Sequence, residues 1–145
     1  MNSTLDRESL MRLAGKLQGV PYNWGGSNPL IGGLGLDCSG FVIWILQVFG
    51  VLEAGDWGAH NLSSMFERTA EMKPGNLVFY GMDDQHITHV MMAASPDMVI
   101  GASGGGKSTT TIEEAKRINA MVKYKAVNYR RDLRFIVDIE KRKAV

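Results

Sequence analysis

The chain contains a single cysteine among its 145 residues, and it lacks both a long apolar run and an excess of charge of either sign. One cysteine excludes an internal disulfide and leaves the Cys38 thiol free. The net charge of +1 and the sequence pI near 7.9 give no electrostatic reason to expect a nucleic acid or a membrane as a partner. The basic segment between Arg130 and Lys143 is interrupted by Asp132, Asp138 and Glu140, which predicts a solvated final strand and tail.

The sequence also shows no segment typical of membrane insertion or of export. The longest apolar run, residues 41–52, contains Gln47 and Gly50 and is too short to span a bilayer. Residues 1–20 carry charged side chains without an uninterrupted apolar core, so no signal peptide is predicted. We therefore expect synthesis in the cytoplasm, with any export depending on another route.

The order of predicted elements indicates one α+β domain over residues 1–145. Ser3 and Asp6 have the spacing of a capping box before a first helix that stops at Gly19. Further helical segments are predicted at 41–49, 60–70 and 112–119. Short apolar segments bounded by turn residues predict an antiparallel sheet from strands at 76–80, 88–93, 97–102, 122–127 and 133–139.

Cys38 opens the most apolar of the predicted helices. Helical spacing from Cys38 places one apolar face on Phe41, Val42, Ile45, Leu46 and Phe49. The positive end of the helix dipole favours a thiolate in the first turn, and a thiolate is the form that attacks a carbonyl. The alternative is a small, inert core cysteine. The polar neighbours Asp37 and Ser39, with Gly40 allowing close backbone approach, favour the reactive interpretation.

His89 is the best partner for this thiol because it begins the apolar run that follows it and can project from the start of a strand. A Cys–His pair transfers the thiol proton and later protonates the leaving amine. His86 lies three positions earlier, so on one strand the two rings would face opposite sides and would not hold one metal. The glutamate pattern of a zinc peptidase helix is also missing, so no metal is expected. His60 is interpreted as a loop or cap residue.

Residues 101–108 match the phosphate-binding pattern G-x-x-x-x-G-K-S. Too little chain follows for a nucleotide-binding sheet, and the preceding chain does not alternate strand and helix. The preferred interpretation is a glycine-rich hairpin loop, with nucleotide binding as the alternative.

Three motifs, in order, resemble those of NlpC-type cell-wall peptidases, a papain-like cysteine peptidase superfamily. Residues 19–26 (G-V-P-Y-N-W-G-G) resemble the family's G-x-P-Y-x-W-G-G, and residues 37–40 resemble its D-C-S-G nucleophile motif. Residues 74–79 (P-G-N-L-V-F), followed by His89-Val90, resemble its P-G-D-L-V-F strand and catalytic histidine strand.

The resemblance implies a papain-like fold with N-terminal helices packed on a small antiparallel sheet. It also implies that Cys38 is the nucleophile and His89 the base, with a backbone N–H near Cys38 as oxyanion donor. Tyr22, Asp37 and Ser39 would line the substrate cleft. Family substrates are peptidoglycan stem peptides, usually cut after γ-linked D-glutamate, and no cofactor or metal is implied.

Two positions depart from the family pattern. The polar third catalytic residue is replaced by Gly101, so a main-chain carbonyl, a water, Ser103 or nothing would orient the imidazole. Asn76 replaces the usual aspartate of the strand motif.

The leading hypothesis is a peptidoglycan-cleaving cysteine peptidase, delivered by a phage tail, a lysis system or a secretion machine. The alternative is a catalytically weakened domain that binds wall peptides or serves structurally in a phage tail.

Overall fold

The fold is described by a computed structural model covering residues 4–26, 35–55 and 57–144. Its helices are α1 (Arg7–Lys16), α2 (Cys38–Val48), α3 (Ala59–Met65) and α4 (Ile112–Arg117). Its strands are β1 (Phe66–Thr69), β2 (Leu77–Asp83), β3 (His86–Ser95), β4 (Met98–Ser103), β5 (Met121–Ala126) and β6 (Leu133–Arg142). The predicted α+β class is confirmed.

The six strands form one antiparallel sheet in the order β1-β6-β2-β3-β4-β5. Alternate side chains of each strand point to opposite faces. One face packs against α1, α2 and α3 and forms the main core, which includes Phe79, Val90 and Ile100. The other face carries a smaller apolar cluster, which includes Tyr80 and Met91.

Helix α2 is the central helix and presents its N-terminus to the sheet. The Asp37 carboxylate caps it by accepting from the backbone N–H of Gly40 at 2.7 Å. The predicted apolar face is buried from Phe41 to Leu46, and this burial holds the helix on β3 and β4. Gly50 ends the element at φ 73°, a left-handed conformation that glycine adopts without strain.

Two glycines bring the loop before α2 against the helix. A Cβ on Gly40 would lie 2.0 Å from the carbonyl oxygen of Gly26, so these backbones touch only because the side chain is missing. The same Gly26 carbonyl accepts from the Asp37 N–H at 3.0 Å. Residues 19–26 and 37–40, which carry the two tandem motifs, are therefore packed against each other in one corner of the fold.

Several predicted boundaries need correction. The segment predicted as a helix at 60–70 divides at Phe66, where the backbone becomes extended and β1 pairs with β6 at the edge of the sheet. His60 lies inside α3 with an exposed side chain, not in a loop. The first helix is capped by Asp6, whose side chain accepts from the Ser9 N–H, while Ser3 lies outside the described residues. Among the helices that the structure describes, none has the length and apolar character needed to cross a membrane.

Candidate active site

A cleft of about 900 Å³ opens where the N-terminus of α2 meets the beginning of β3. The five residues predicted from the sequence all line it: Tyr22, Asp37, Cys38, Ser39 and His89. Residues from three separate parts of the chain thus meet in one cavity, as a Cys–His site requires. Their individual roles stay predictions.

Cys38 is the first residue of α2 and is half-buried. Burial raises the pKa of its thiol above the ordinary value; the backbone N–H of Val90 opposes this, and the Asp37 charge adds to it. The position of Cys38 in the sequence predicts that the helix terminus favours a thiolate. That expectation is wrong for the resting site, because desolvation outweighs the helix N–H groups.

The Asp37 carboxylate accepts three hydrogen bonds from residues of the site. Its Oδ1 accepts from the Gly40 N–H at 2.7 Å and from the Ser39 hydroxyl at 3.3 Å, and its Oδ2 accepts from the Gly25 N–H at 3.0 Å. Asp37 therefore links the turn after Trp24 to the start of α2. The hydroxyl of Ser39 lies beside this carboxylate at the cleft wall.

His89 is only 7% exposed and stands on the same face of β3 as Met91. Its ring packs against Tyr80 at a centroid distance of 5.6 Å, and its Nε2 lies 2.7 Å from the hydroxyl of Tyr129. Burial, aided by the charge of Arg130, lowers the pKa of His89 to about 4. At neutral pH the site therefore contains a neutral imidazole, the form that accepts a proton from a thiol.

Gly101 leaves the expected third catalytic position without a side chain. A Cβ there would lie 2.6 Å from the Sδ of Met91, so the thioether occupies the adjoining space. The hydroxyl of Ser103, one candidate for orienting the imidazole, lies 3.4 Å from the Tyr129 hydroxyl. Among the described side chains, Tyr129 is the hydrogen-bond partner of His89, and no sequence motif pointed to it.

The glycine-rich segment also lines the cleft, at residues 103–107. A Cβ on Gly105 would lie 2.2 Å from the ring of Tyr22, so the loop lies flat on this buried ring only because residue 105 is glycine. In a phosphate-binding loop the helix follows the Lys-Ser pair directly, but here α4 starts at Ile112, capped by Thr111. The geometry favours the hairpin-loop interpretation.

Four cationic side chains line the cleft, and the sequence did not identify them as a group: Lys107, Lys123, Lys125 and Arg130. Lys123 donates to the carbonyl of Asn119, and Arg130 pairs with Asp132 at 2.6 Å. The alternation of Lys123 and Lys125 along β5, with Tyr124 between them, was the available signal. Across residues 4–26, 35–55 and 57–144, no three His, Cys, Asp or Glu side chains are arranged to hold a metal ion.

The antiparallel sheet, the central helix and the cleft at its N-terminus define a papain-like α+β domain. The chain belongs to the NlpC/P60 family, whose sequence profile matches residues 19–131. This confirms the resemblance found in the three motifs.

Relatives within the family are similar over most of the domain. The chain is 33% identical over 114 residues to the peptidoglycan endopeptidase RipB of Mycobacterium tuberculosis, covering 72% of this chain and 46% of RipB. It is 40% identical over 89 residues to the bifunctional muramidase/DL-endopeptidase CwlT of Bacillus subtilis, covering 57% of this chain and 25% of CwlT. The solved structure of the peptidoglycan hydrolase RipB matches with a TM-score of 0.69 and 26% identity, over 92% of this chain and 64% of that one. The chain spans less than half the length of these curated relatives.

Proposed function

We propose that the chain hydrolyses peptide bonds in peptidoglycan stem peptides, with Cys38 as nucleophile and His89 as general base. The observation that carries this proposal is the meeting of the Cys38 thiol, at the N-terminus of α2, with the neutral His89 of β3 in one cleft. Membership of the NlpC/P60 family and similarity to peptidoglycan endopeptidases support the substrate class.

The chemistry is a two-step acyl transfer. As the Cys38 sulfur attacks the scissile carbonyl carbon, the thiol proton passes to the free ring nitrogen of His89. The oxyanion forms near the first turn of α2, where the Cys38 backbone N–H can donate to it. The C–N bond then breaks, and the imidazolium returns its proton to the leaving amine. Water, activated by the same imidazole, hydrolyses the thioester, so one amide and one water become one acid and one amine.

The cationic lining of the cleft fits the charge of this substrate class. A γ-linked D-glutamate leaves its α-carboxylate free, and Lys107, Lys123 and Lys125 line the cleft. We infer that the scissile bond follows γ-linked D-glutamate, with that carboxylate held by these ammonium groups.

Mass spectrometry of peptidoglycan digests tests the proposal. We expect new stem-peptide fragments with the wild-type chain and none with Cys38→Ala or His89→Gln, measured on purified peptidoglycan and on free stem peptides. Arg134→Gln, which changes an exposed ion pair outside the cleft, serves as the matched control and should cleave like wild type. Fragments of equal yield with Cys38→Ala would contradict the assignment.

A wall-peptide-binding domain of reduced activity is the second candidate, because Gly101 removes the usual third catalytic side chain. On that alternative, stem peptides bind to wild type and to Cys38→Ala with equal affinity, and neither protein cleaves them. Calorimetric titration beside the digest distinguishes the two functions.

A further inference from the structure

We propose that Tyr129 is a positioning residue that takes over the role of the missing third catalytic side chain. Its hydroxyl holds the His89 imidazole in one orientation and one tautomer. The inference rests on the proposed function for its catalytic meaning, but the contact that carries it is independent of any substrate.

Tyr129 contacts one ring nitrogen of His89, Nε2, and so leaves the other, Nδ1, for the thiol. The Tyr129 oxygen lies 2.7 Å from Nε2 of His89 and 3.4 Å from the hydroxyl oxygen of Ser103. If Tyr129 donates its own proton to Ser103, its oxygen accepts the Nε2–H of His89. That tautomer leaves the Nδ1 lone pair unprotonated and available for the Cys38 proton. Burial raises the pKa of the Tyr129 hydroxyl, so it stays a neutral phenol throughout.

The phenol ring is held rigidly enough to act as an orienting group. It packs edge-to-face on Tyr80 with centroids 5.7 Å apart, and the Lys125 ammonium lies 5.2 Å from its centre. The Tyr80 hydroxyl donates at 2.7 Å to the carbonyl of Val127, two residues before Tyr129. The connection between β5 and β6 is therefore tied to the same aromatic cluster that packs around His89.

The sheet explains why a residue from this connection is needed. Gly101 pairs with Lys123 on β5 and brings no side chain to the imidazole, while the Met91 thioether fills the adjacent space. A thioether is only a weak hydrogen-bond acceptor, so Met91 is a poor partner for an imidazole N–H. The phenol reaches His89 from outside the strand position that the family pattern uses.

The tautomer of His89 in the substrate-free wild type is the first test, read from the ring nitrogen shifts in 15N NMR at neutral pH. We expect the Nε2–H form, with an Nε2 proton protected from exchange. A dominant Nδ1–H form would overturn the proposal. This readout needs no turnover, so a failed peptidase assay and a failed positioning role are distinguishable.

Tyr129→Phe is the second test, because it keeps the ring and removes only the hydroxyl. We expect a mixed tautomer population, and a kcat lower by about tenfold or more, with a KM that changes by less than about twofold. The rate of Cys38 alkylation by iodoacetamide should also fall at neutral pH, and this signal is unambiguous because the chain has one cysteine. Tyr124→Phe is the matched control and should behave like wild type. It removes an exposed hydroxyl on the face of β5 opposite to Lys123 and Lys125.

Unchanged tautomer, alkylation rate and kcat in a folded Tyr129→Phe would overturn the positioning role. A loss of thermal stability with an unchanged tautomer would likewise reduce Tyr129 to a packing residue. If the wild type cleaves no wall peptide but Tyr129→Phe still shifts the tautomer, the positioning role stands and the proposed function fails.

Discussion

His89 and Cys38 are both uncharged at neutral pH, because each is desolvated by the protein that positions it. A neutral thiol and a neutral imidazole in one cleft mean that the proton moves during attack and not before it. This differs from the thiolate that a helix N-terminus alone would favour. The burial of these two side chains, which depends on tertiary packing, decides the protonation state.

The buried His89 makes stability depend on pH in a defined window. Its pKa is about 4 in the folded chain against an ordinary 6.5, so as pH falls the unfolded chain binds the proton first. The free energy of unfolding therefore does not vary with pH through His89 above about pH 6.5. It falls by about 3 kcal/mol in total as the pH decreases towards 4. Urea unfolding from pH 7 to 4 measures it, with His89→Gln as the reference. Equal pH slopes for the two proteins would contradict the buried neutral histidine.

Asn76 illustrates a departure from the family pattern that the structure explains. Its side-chain oxygen accepts from Arg7 at 2.9 Å, and its amide nitrogen donates to the carbonyl of Glu71 at 3.1 Å. An aspartate in this fully buried position would have no N–H for Glu71. The substitution belongs to a structural network beneath α1 and carries no catalytic meaning.

We predict that Asn76→Ala lowers the free energy of unfolding by about 2 kcal/mol, because it leaves part of the Arg7 guanidinium and the Glu71 carbonyl unsatisfied. Urea denaturation measures the change. Gln85→Ala, at an exposed turn position, should stay within about 0.5 kcal/mol of wild type. A loss as small as that of Gln85→Ala would show that water replaces the network at no cost.

At the scale of elements, the corner between the loop at residues 19–26 and α2 sets the position of Cys38. The corner depends on the contact of Gly40 with the Gly26 carbonyl and on the hydrogen bonds accepted by Asp37. A change in this corner displaces the first turn of α2, and the nucleophile with it.

Gly40→Ala tests the corner. Its Cβ would lie 2.0 Å from the Gly26 carbonyl oxygen, so we expect a destabilisation of about 2 kcal/mol and loss of peptidase activity. Thermal unfolding and the digest assay measure the two effects. Gly106→Ala, whose Cβ would meet nothing within 4 Å, should leave the unfolding temperature unchanged. Equal unfolding temperatures for both variants would contradict the close packing.

Apolar periodicity predicted the elements that carry the candidate nucleophile and base, since α2 and β3 bury continuous apolar surface around Cys38 and His89. It missed β1, because the four residues after Met65 become a strand only by pairing with β6, more than sixty residues away in sequence. Tyr129 was missed for a similar reason. Its contact with His89 spans forty residues and leaves no local pattern in the sequence. Gly101 indicated only that the usual side chain orienting the imidazole was missing.

For the molecule as a whole, a net charge of +1 conceals a strongly uneven distribution. The lysines on β5 and the adjacent loop concentrate positive charge at the cleft, while acidic side chains elsewhere form ion pairs such as Glu53–Arg142. The cationic side chains in the lining outnumber the Asp37 carboxylate, and a local excess of positive charge attracts an anionic substrate. Composition alone did not reveal this feature.

Reversing the cleft charge should lower kcat/KM for stem peptides. For the double variant Lys123→Glu/Lys125→Glu we expect kcat/KM to be lower by about fivefold or more at low salt. The difference from wild type should become smaller as the salt concentration increases. Lys141→Glu, a charge change of the same kind on the exposed end of β6, is the control and should change the rate little. A salt-independent decrease, or equal decreases at both sites, would argue against recognition of a carboxylate.

Delivery by a phage tail, a lysis system or a secretion machine, and the assignment of residues 1–145 to one domain, stay predictions from the sequence. Nucleotide binding at residues 101–108 is the alternative that the loop geometry disfavours. Thermal unfolding with and without ATP tests it, since tight binding to the folded state must raise the midpoint. We expect no shift, and a clear increase would reinstate that site.

The covalent intermediate is the most direct test of the central claim that Cys38 attacks the scissile carbonyl. Wild-type protein is mixed with a stem peptide, quenched in acid within milliseconds, and examined by intact-protein and peptide mass spectrometry. We predict a transient adduct on the peptide that contains Cys38, with an added mass equal to that of the carboxylic acid product less one water, and lost on treatment with hydroxylamine. Cleavage that proceeds without this adduct, and equally well in Cys38→Ala, would contradict the account.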